Sequence, residues 1–253
     1  MIRSLRQHYG SLEGATVVEI GTGWQPTIPL LLYLAGSRVI LTDVERLMDF
    51  STVVSSIAFL ASQHEWVACR LNMEPGDITD ALCRGLGRDF SSLLANLRFE
   101  YRAPGDIRSL PPGRADIVYS RAVLEHIPAA ALDGLIADCR AVLSPNGLMM
   151  HIIDNSDHWQ HTDRRLSRIN FLRYHESTWR LINSSGQIYQ NRLRHSDYVA
   201  LMVSAGYEIR YERAETDPGA RLDALRMPLA PRFREHTPDD LAALTSHILC
   251  APV

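Results

Sequence analysis

The sequence predicts an α/β fold with a doubly wound parallel sheet, and three observations carry that prediction. Short apolar runs alternate with helical-period segments as far as Ile153. The first run, Thr16 to Ile20, passes into Gly21-Thr22-Gly23 and then into an apolar helix. Acidic residues stand at or just beyond three successive strand ends, at Glu19, Asp43 and Asp106. Strand, glycine turn and helix in that order form a nucleotide-sized pocket at the end of a sheet.

The elements follow in order. Residues 1–15 read as a short helix and a linker. Strand one is Thr16 to Ile20. The next helix, Thr27 to Ala35, has Pro29 in its first turn and Gly36 just past its end, where each is favoured. Strand two is Arg38 to Thr42. From Val44 to Asn96 the periodicity is mostly helical, and this exceeds what a crossover needs, so the segment is read as a helical insertion. Strand three is Leu97 to Arg102 and strand four Ala115 to Tyr119. Ala129 to Leu143 is an amphipathic helix, stopped by the turn Ser144-Pro145-Asn146-Gly147. Strand five is Leu148 to Ile153. A polar segment rich in His and Arg, 154–195, reads as a lid or acceptor segment. A helix over Ser196 to Ala205 and a strand over Tyr207 to Glu212 follow. Four prolines mark 214–238 as loop, and Thr245 to Cys250 is the final strand.

Composition sets bounds. The chain has 253 residues, enough for one α/β domain spanning 1–253, and a formal net charge of −3. That charge gives no general attraction to nucleic acid or an anionic membrane. No segment approaches transmembrane length, and nothing reads as a signal peptide. Cys69, Cys83, Cys139 and Cys250 form no CxxC pair, so free thiols in a cytoplasmic protein are expected. All 26 basic residues are arginine. Without lysine there is no P-loop NTPase and no Schiff-base chemistry.

Two cofactor readings compete for the glycine turn. A nicotinamide dinucleotide wants GxGxxG, with its phosphates on the helix N-terminus. Here Gly21 and Gly23 are followed by Pro26, and the third glycine is missing. A sulfonium cofactor without phosphates needs glycines for close approach. It also needs carboxylates for its ammonium, ribose and adenine groups, as the three acids would supply.

The motifs Val17-Val18-Glu19-Ile20-Gly21-Thr22-Gly23, Ile40-Leu41-Thr42-Asp43 and Gly105-Asp106-Ile107 carry a resemblance. So do the segment Asp116 to Ile127, with its Leu124-Glu125-His126-Ile127 ending, and Ala141 to Gly147. Together they resemble the class I S-adenosylmethionine (SAM)-dependent methyltransferases, in particular the small-molecule branch. The likeness implies a Rossmann-like, seven-stranded sheet whose last strand is antiparallel. It implies that Glu19, Gly21, Thr22 and Gly23 line the methionine end and ribose, and that Asp43 accepts from the ribose hydroxyls. Asp106 then bonds the adenine amino group with Ile107 beside the ring, and Ser120, Arg121 and Ala122 form the rim under the sulfonium. Gln25 stands where the family often has a glycine, and Trp24 either packs in the core or shields the cofactor.

On the acceptor side, removing a proton from a hydroxyl or ammonium calls for a base, and histidine suits this near neutral pH. His158 is the favoured base, with His126 and Asp154 as further catalytic candidates. The segment 151–163 also holds His161, Asp157 and Asp163, which leave open a divalent cation bound by mixed ligands. The spacing fits no standard metal motif, and a metal-free site is expected. Arg173, Arg192 and Arg194 are candidates for binding an anionic acceptor, and Tyr9 for closing over the cofactor. The expected function is SAM-dependent methyl transfer to a small molecule, most readily at oxygen; a homodimer is compatible with it. Two other classes remain: a nicotinamide-dependent oxidoreductase, and a non-catalytic binding protein that kept the fold.

Overall fold

The computed structural model describes residues 1–183 and 189–253. Residues 184–188 of the expected lid segment lie outside the described residues. Among the described residues seven strands form one mixed sheet: β1 (Thr16–Ile20), β2 (Arg38–Thr42), β3 (Phe99–Arg102), β4 (Ala115–Arg121), β5 (Leu143–Asp154), β6 (Tyr207–Thr216) and β7 (Ala243–Pro252). Their order across the sheet is β3-β2-β1-β4-β5-β7-β6. β1, β2 and β3 pair in parallel, whereas β6 and β7 pair antiparallel. This is the doubly wound, Rossmann-like α/β arrangement that the sequence predicts.

The helices in chain order are α1 (Ile2–Tyr9), α2 (Thr27–Leu34), α3 (Phe50–Ser62), α4 (His64–Leu71), α5 (Pro75–Gly85) and α6 (Phe90–Asn96). They continue as α7 (Ala129–Val142), α8 (Trp159–Thr162), α9 (Glu176–Ile182), α10 (His195–Ser204), α11 (Pro218–Arg226) and α12 (Pro238–Leu241). The chain divides into two compact units. The first comprises 1–119 and 138–149, the second 120–137 and 150–253.

In the first unit, β1 buries Val17 and Val18 completely, as an inner parallel strand must. α2 buries Pro29, Leu30, Leu32 and Leu34. It ends before Gly36, whose φ of +90° is a left-handed conformation that glycine adopts without strain. The stretch between β2 and β3 holds α3 to α6. Reciprocal capping boxes start α3, through Asp49 and Thr52, and α6, through Asp89 and Ser92. Each satisfies two backbone donors that a helix start leaves open.

The second unit has a core of its own around Phe171, Leu172, Trp179 and Phe233. Three sequence expectations change here. The 214–238 segment is not loop: β6 runs on to Thr216, and α11 and the start of α12 follow. Pro218, Pro231 and Pro238 each stand in the first turn of a helix or 3-10 turn. There a missing N–H costs nothing, and the fixed φ helps initiation. β5 begins at Leu143, so it takes in the residues expected to form a turn.

The third change concerns arginine. Arg194 is fully buried and donates to the carbonyls of Asn155 (2.9 Å), Leu241 (3.0 Å) and Ala243 (2.7 Å). Arg192 is 2% exposed and donates to the carbonyls of Phe171 and Tyr174 and to Glu176. Its guanidinium lies over the rings of Trp179 and Phe233, at 4.9 and 5.2 Å. Both guanidinium groups are engaged inside the protein and are not left to bind an acceptor. Burial pulls each down to about 10.

Two predictions concern stability. Arg194→Met leaves three buried carbonyls without a donor, so denaturant unfolding should show a loss of about 3 kcal/mol. His151 is fully buried, with Nδ1 2.7 Å from Ser120 Oγ, and burial pushes its pKa down to about 3. The unfolded histidine titrates near about 6.5. Below that pH the unfolded chain takes a proton that the folded chain refuses, so stability falls as pH drops towards about 3. Thermal unfolding across pH should show His151→Asn less stable at neutral pH but declining less steeply under acid.

Candidate functional site

In the first unit the glycine turn is held by its backbone. Gly21 and Gly23 take φ of +71° and +66°, which side-chain-bearing residues rarely adopt. The N–H groups of Gly21 and Thr22 both donate to the carbonyl of Thr42, at 2.8 and 3.2 Å. Gly23 N–H donates to Asp43 Oδ2 at 2.8 Å. A Cβ added at Gly23 would meet nothing within 4 Å, so space is open beside that residue. Thr22 is buried.

Asp43 does more than end a strand. Its Oδ1 accepts from Glu45 N–H at 3.2 Å, so both carboxylate oxygens already serve the backbone. An ionised carboxylate offers about four acceptor sites, so acceptor capacity remains. Glu19 is 5% exposed, and Tyr119 donates its phenol to Glu19 Oε1 at 2.7 Å. Burial, and then the Glu19 charge, push the Tyr119 pKa well up.

The other expected cofactor residues are placed unevenly. Asp106 is clasped by Arg108, with Oδ2 2.5 Å from Nη2 and 3.0 Å from Nε. The Arg108 hydrogen bond holds the Asp106 carboxyl below its usual range. Ile107 is buried at the start of a 3-10 turn. Trp24 is 62% exposed, so it is not a core residue. Tyr9 bonds Asp116, which also accepts from Thr16 N–H at 2.8 Å. Thr16 opens β1 and Asp116 lies near the start of β4. This places Tyr9 at the amino ends of the strands, away from the glycine turn, and it does not close over that turn.

In the second unit, Ser120 is fully buried against His151 and forms no rim. Arg121 and Ala122 are exposed. Ala122 takes φ +54° and donates to the carbonyl of Ile152 at 2.8 Å.

Beyond this point the histidines converge. His126 and His158 have ring centroids 5.1 Å apart, and His158 stacks on His161 at 5.1 Å. His158 Nε2 lies 3.5 Å from Asp154 Oδ2. Ser156 donates to Asp154 Oδ1 through its N–H and its hydroxyl, at 2.9 and 2.6 Å. Burial alone would raise the Asp154 pKa, but the bonds from His158 and Ser156 outweigh it and hold the group at about 2. Glu125, next to His126, is 2% exposed, and burial pushes its carboxyl up to about 7. Burial pushes the His126 pKa down.

A strap over 189–191 brings these groups together. Tyr189 O lies 2.7 Å from His126 Nδ1. Gln190 accepts from His158 N–H at 3.0 Å and donates to Ser156 O at 2.8 Å. Asn191 donates to the carbonyls of Leu124 and Ile127, and its N–H donates to Glu125 O. Sequence reading missed the roles of Gln190, Asn191, Tyr119 and Glu125. Each acts across 30 residues or more, where no local spacing gives a signal.

Beside Asp154 opens a cavity of about 550 Å³, lined by Ser156, Gln160, His161, Arg164 and Arg168 among others. Arg164 and Arg168 are exposed on its wall. Arg173 is exposed elsewhere, with one long contact to Asn170 at 3.4 Å. Among the described residues no helix is long and apolar enough to cross a membrane.

Comparison with known proteins agrees with this fold. A search of curated sequences gave no match. Among solved structures, a Burkholderia thailandensis 1,6-didemethyltoxoflavin-N1-methyltransferase, with that ligand and S-adenosylhomocysteine bound, is similar. It is 16% identical with a TM-score of 0.51, over 98% of this chain and 74% of that one. A Mesorhizobium loti SAM-dependent methyltransferase is 12% identical with a TM-score of 0.51, over 98% and 95% of the two chains. The Synechocystis magnesium protoporphyrin IX methyltransferase, with S-adenosylhomocysteine bound, is 11% identical with a TM-score of 0.52, over 100% and 80%. At such identities the likeness is one of fold. The family model described as "Methyltransferase domain" matches residues 2–212, well over half of the sequence, and the chain belongs to that family.

Proposed function

We propose that residues 1–253 act as one methyltransferase domain that moves the methyl group of SAM to a small-molecule acceptor, at oxygen. The observation that carries this reading is the Gly21–Gly23 turn, fastened to Asp43 and with open space beside Gly23. Backbone without side chains lets a ligand approach closely, and no phosphate need be served there. Glu19 and the turn, with Thr22, take the methionine end and the ribose. Asp43 uses its remaining acceptor sites on the ribose hydroxyls, while Asp106 shares its carboxylate between Arg108 and the adenine amino group. Methyltransferases similar in fold carry S-adenosylhomocysteine, which supports the cofactor assignment.

The chemistry is a single displacement. A lone pair on the acceptor oxygen attacks the methyl carbon in line, the carbon–sulfur bond breaks, and its electron pair stays on sulfur. The acceptor proton passes to His158. Asp154, held at about 2, stays ionised beside that ring and stabilises the imidazolium. The cavity next to Asp154 receives the acceptor, with Arg164 and Arg168 as its cationic wall in the role first assigned to Arg192 and Arg194. Arginine's planar fork favours an acceptor bearing a carboxylate or phosphate.

Titration calorimetry with SAM and S-adenosylhomocysteine tests the cofactor. Binding in the micromolar range is expected, weakened more than about tenfold in Asp43→Ala. No heat from either ligand at millimolar concentration sinks the reading. Once a screen of hydroxyl acceptors yields turnover, His158→Ala should lower kcat by about 100-fold with SAM affinity unchanged. An unchanged kcat removes His158 from the mechanism.

A further inference from the structure

The Glu125–His126–His158 cluster, of which the methyl-transfer reading uses only His158, carries a further inference. One ligand-type atom from each residue lies within 4.8 Å of the other two. Glu125 Oε1 is 4.0 Å from His126 Nε2. Glu125 is 2% exposed, and neither carboxylate oxygen has a hydrogen-bond partner among the described residues. A buried acceptor of that strength normally finds a donor. Here the groups around it are the two imidazoles, the Asp154 carboxylate and the backbone N–H groups of residues 125 and 154.

The two histidines are also prepared for ligation. His126 Nδ1 lies 2.7 Å from the carbonyl of Tyr189, which can only accept a hydrogen bond. That places the proton on Nδ1 and leaves the Nε2 lone pair free, facing Glu125. Metal-ligating histidines are set in this way, with the second nitrogen bonded to a carbonyl or carboxylate. His158 has Asp154 at 3.5 Å, a second carboxylate beside the cluster. Gln190 and Asn191 fix the backbone on both sides, so the three residues are preorganised.

We propose that Glu125, His126 and His158 bind one divalent transition-metal cation of the zinc type. Two imidazoles and one carboxylate suit such an ion, whereas magnesium and calcium prefer all-oxygen shells. Three protein ligands leave a position open for water or for an acceptor oxygen. A cation in this place lowers the pKa of an oxygen bound to it, and His158 then acts as ligand in place of base. That consequence rests on the methyl-transfer reading; cation binding does not.

The test uses the full chain, stripped with chelator and dialysed against zinc chloride alone, with metal content read by mass spectrometry. One equivalent is expected. Glu125→Gln and His126→Gln should each weaken zinc binding by more than about tenfold, and His175→Gln, outside the cluster, should leave it unchanged. Circular dichroism and SAM titration on the same samples report folding and cofactor binding independently. Cobalt(II) gives a second readout, through visible absorption that both cluster variants should lose. Less than a fifth of an equivalent of zinc, or equal binding by the native chain and folded cluster variants, overturns the proposal. Loss of SAM binding with zinc retained overturns only the methyl-transfer reading.

Discussion

The hydrogen bond from Gly23 N–H to the Asp43 carboxylate is the constraint on which the first unit's site depends. Asp43 uses every polar group it has. Its own N–H donates to Arg102 O in β3, and its carbonyl accepts from Gly105 N–H beyond β3. Its carboxylate reaches Gly23, beyond β1. One residue at the end of β2 therefore joins the carboxyl ends of three parallel strands. Two left-handed residues in a three-residue turn are costly for most sequences. Glycine removes the steric part of that cost, and three backbone donors fixed to Thr42 and Asp43 remove the remaining freedom. The turn is thus rigid before any ligand arrives, which lowers the ordering cost of binding.

In the second unit the corresponding constraint is arginine capture. The strap continues from 191 into Arg192 and Arg194, whose guanidinium groups together serve five backbone carbonyls. A planar, delocalised cation with five donors can satisfy several carbonyls at once and still stack on Trp179 and Phe233. Lysine, a compact and strongly hydrated point charge, fits such a place poorly. These anchors fix the carboxyl end of the strap that positions His126 and His158. Burying the arginines therefore serves the site indirectly, although neither faces it.

What the sequence made legible follows the range of the forces involved. β1, the glycine turn and α2 are specified by neighbours in sequence, and their bounds are visible in alternating apolar and glycine positions. The positions of the acids at 19, 43 and 106, at or just beyond the ends of β1, β2 and β3, are legible in the same way. Pro218, Pro231 and Pro238 misled because proline starts helices as readily as it breaks them; Asp217 and Thr237, as capping residues, were the available signal. Arg192 and Arg194 misled because arginine beside aromatics describes a buried clamp as well as a binding face. The convergence of Glu125, His126 and His158 depends on contacts 30 or more residues apart, through Gln190 and Asn191. No periodicity encodes these.

The energetics of Glu125 bear on what the cluster is for. A carboxylate removed from water without a hydrogen-bond donor costs several kcal/mol, more than one good core contact returns. Burial, helped by the Asp154 charge, outweighs the opposing pull of nearby backbone N–H groups and of His158 and raises this carboxyl to about 7. Replacing Glu125 by an apolar side chain of similar size would relieve that cost, so the fold gains nothing from the charge itself. The sequence around it nonetheless invests in the arrangement. Asn191 spends its amide on the Leu124 and Ile127 carbonyls, and Tyr198 steadies Asn191 at 3.0 Å. A proton would neutralise Glu125 alone and leave the Asp154 charge beside His158. A divalent cation balances the two carboxylate charges together and supplies a partner for the Glu125 carboxylate, so it matches the charge and the unsatisfied group together.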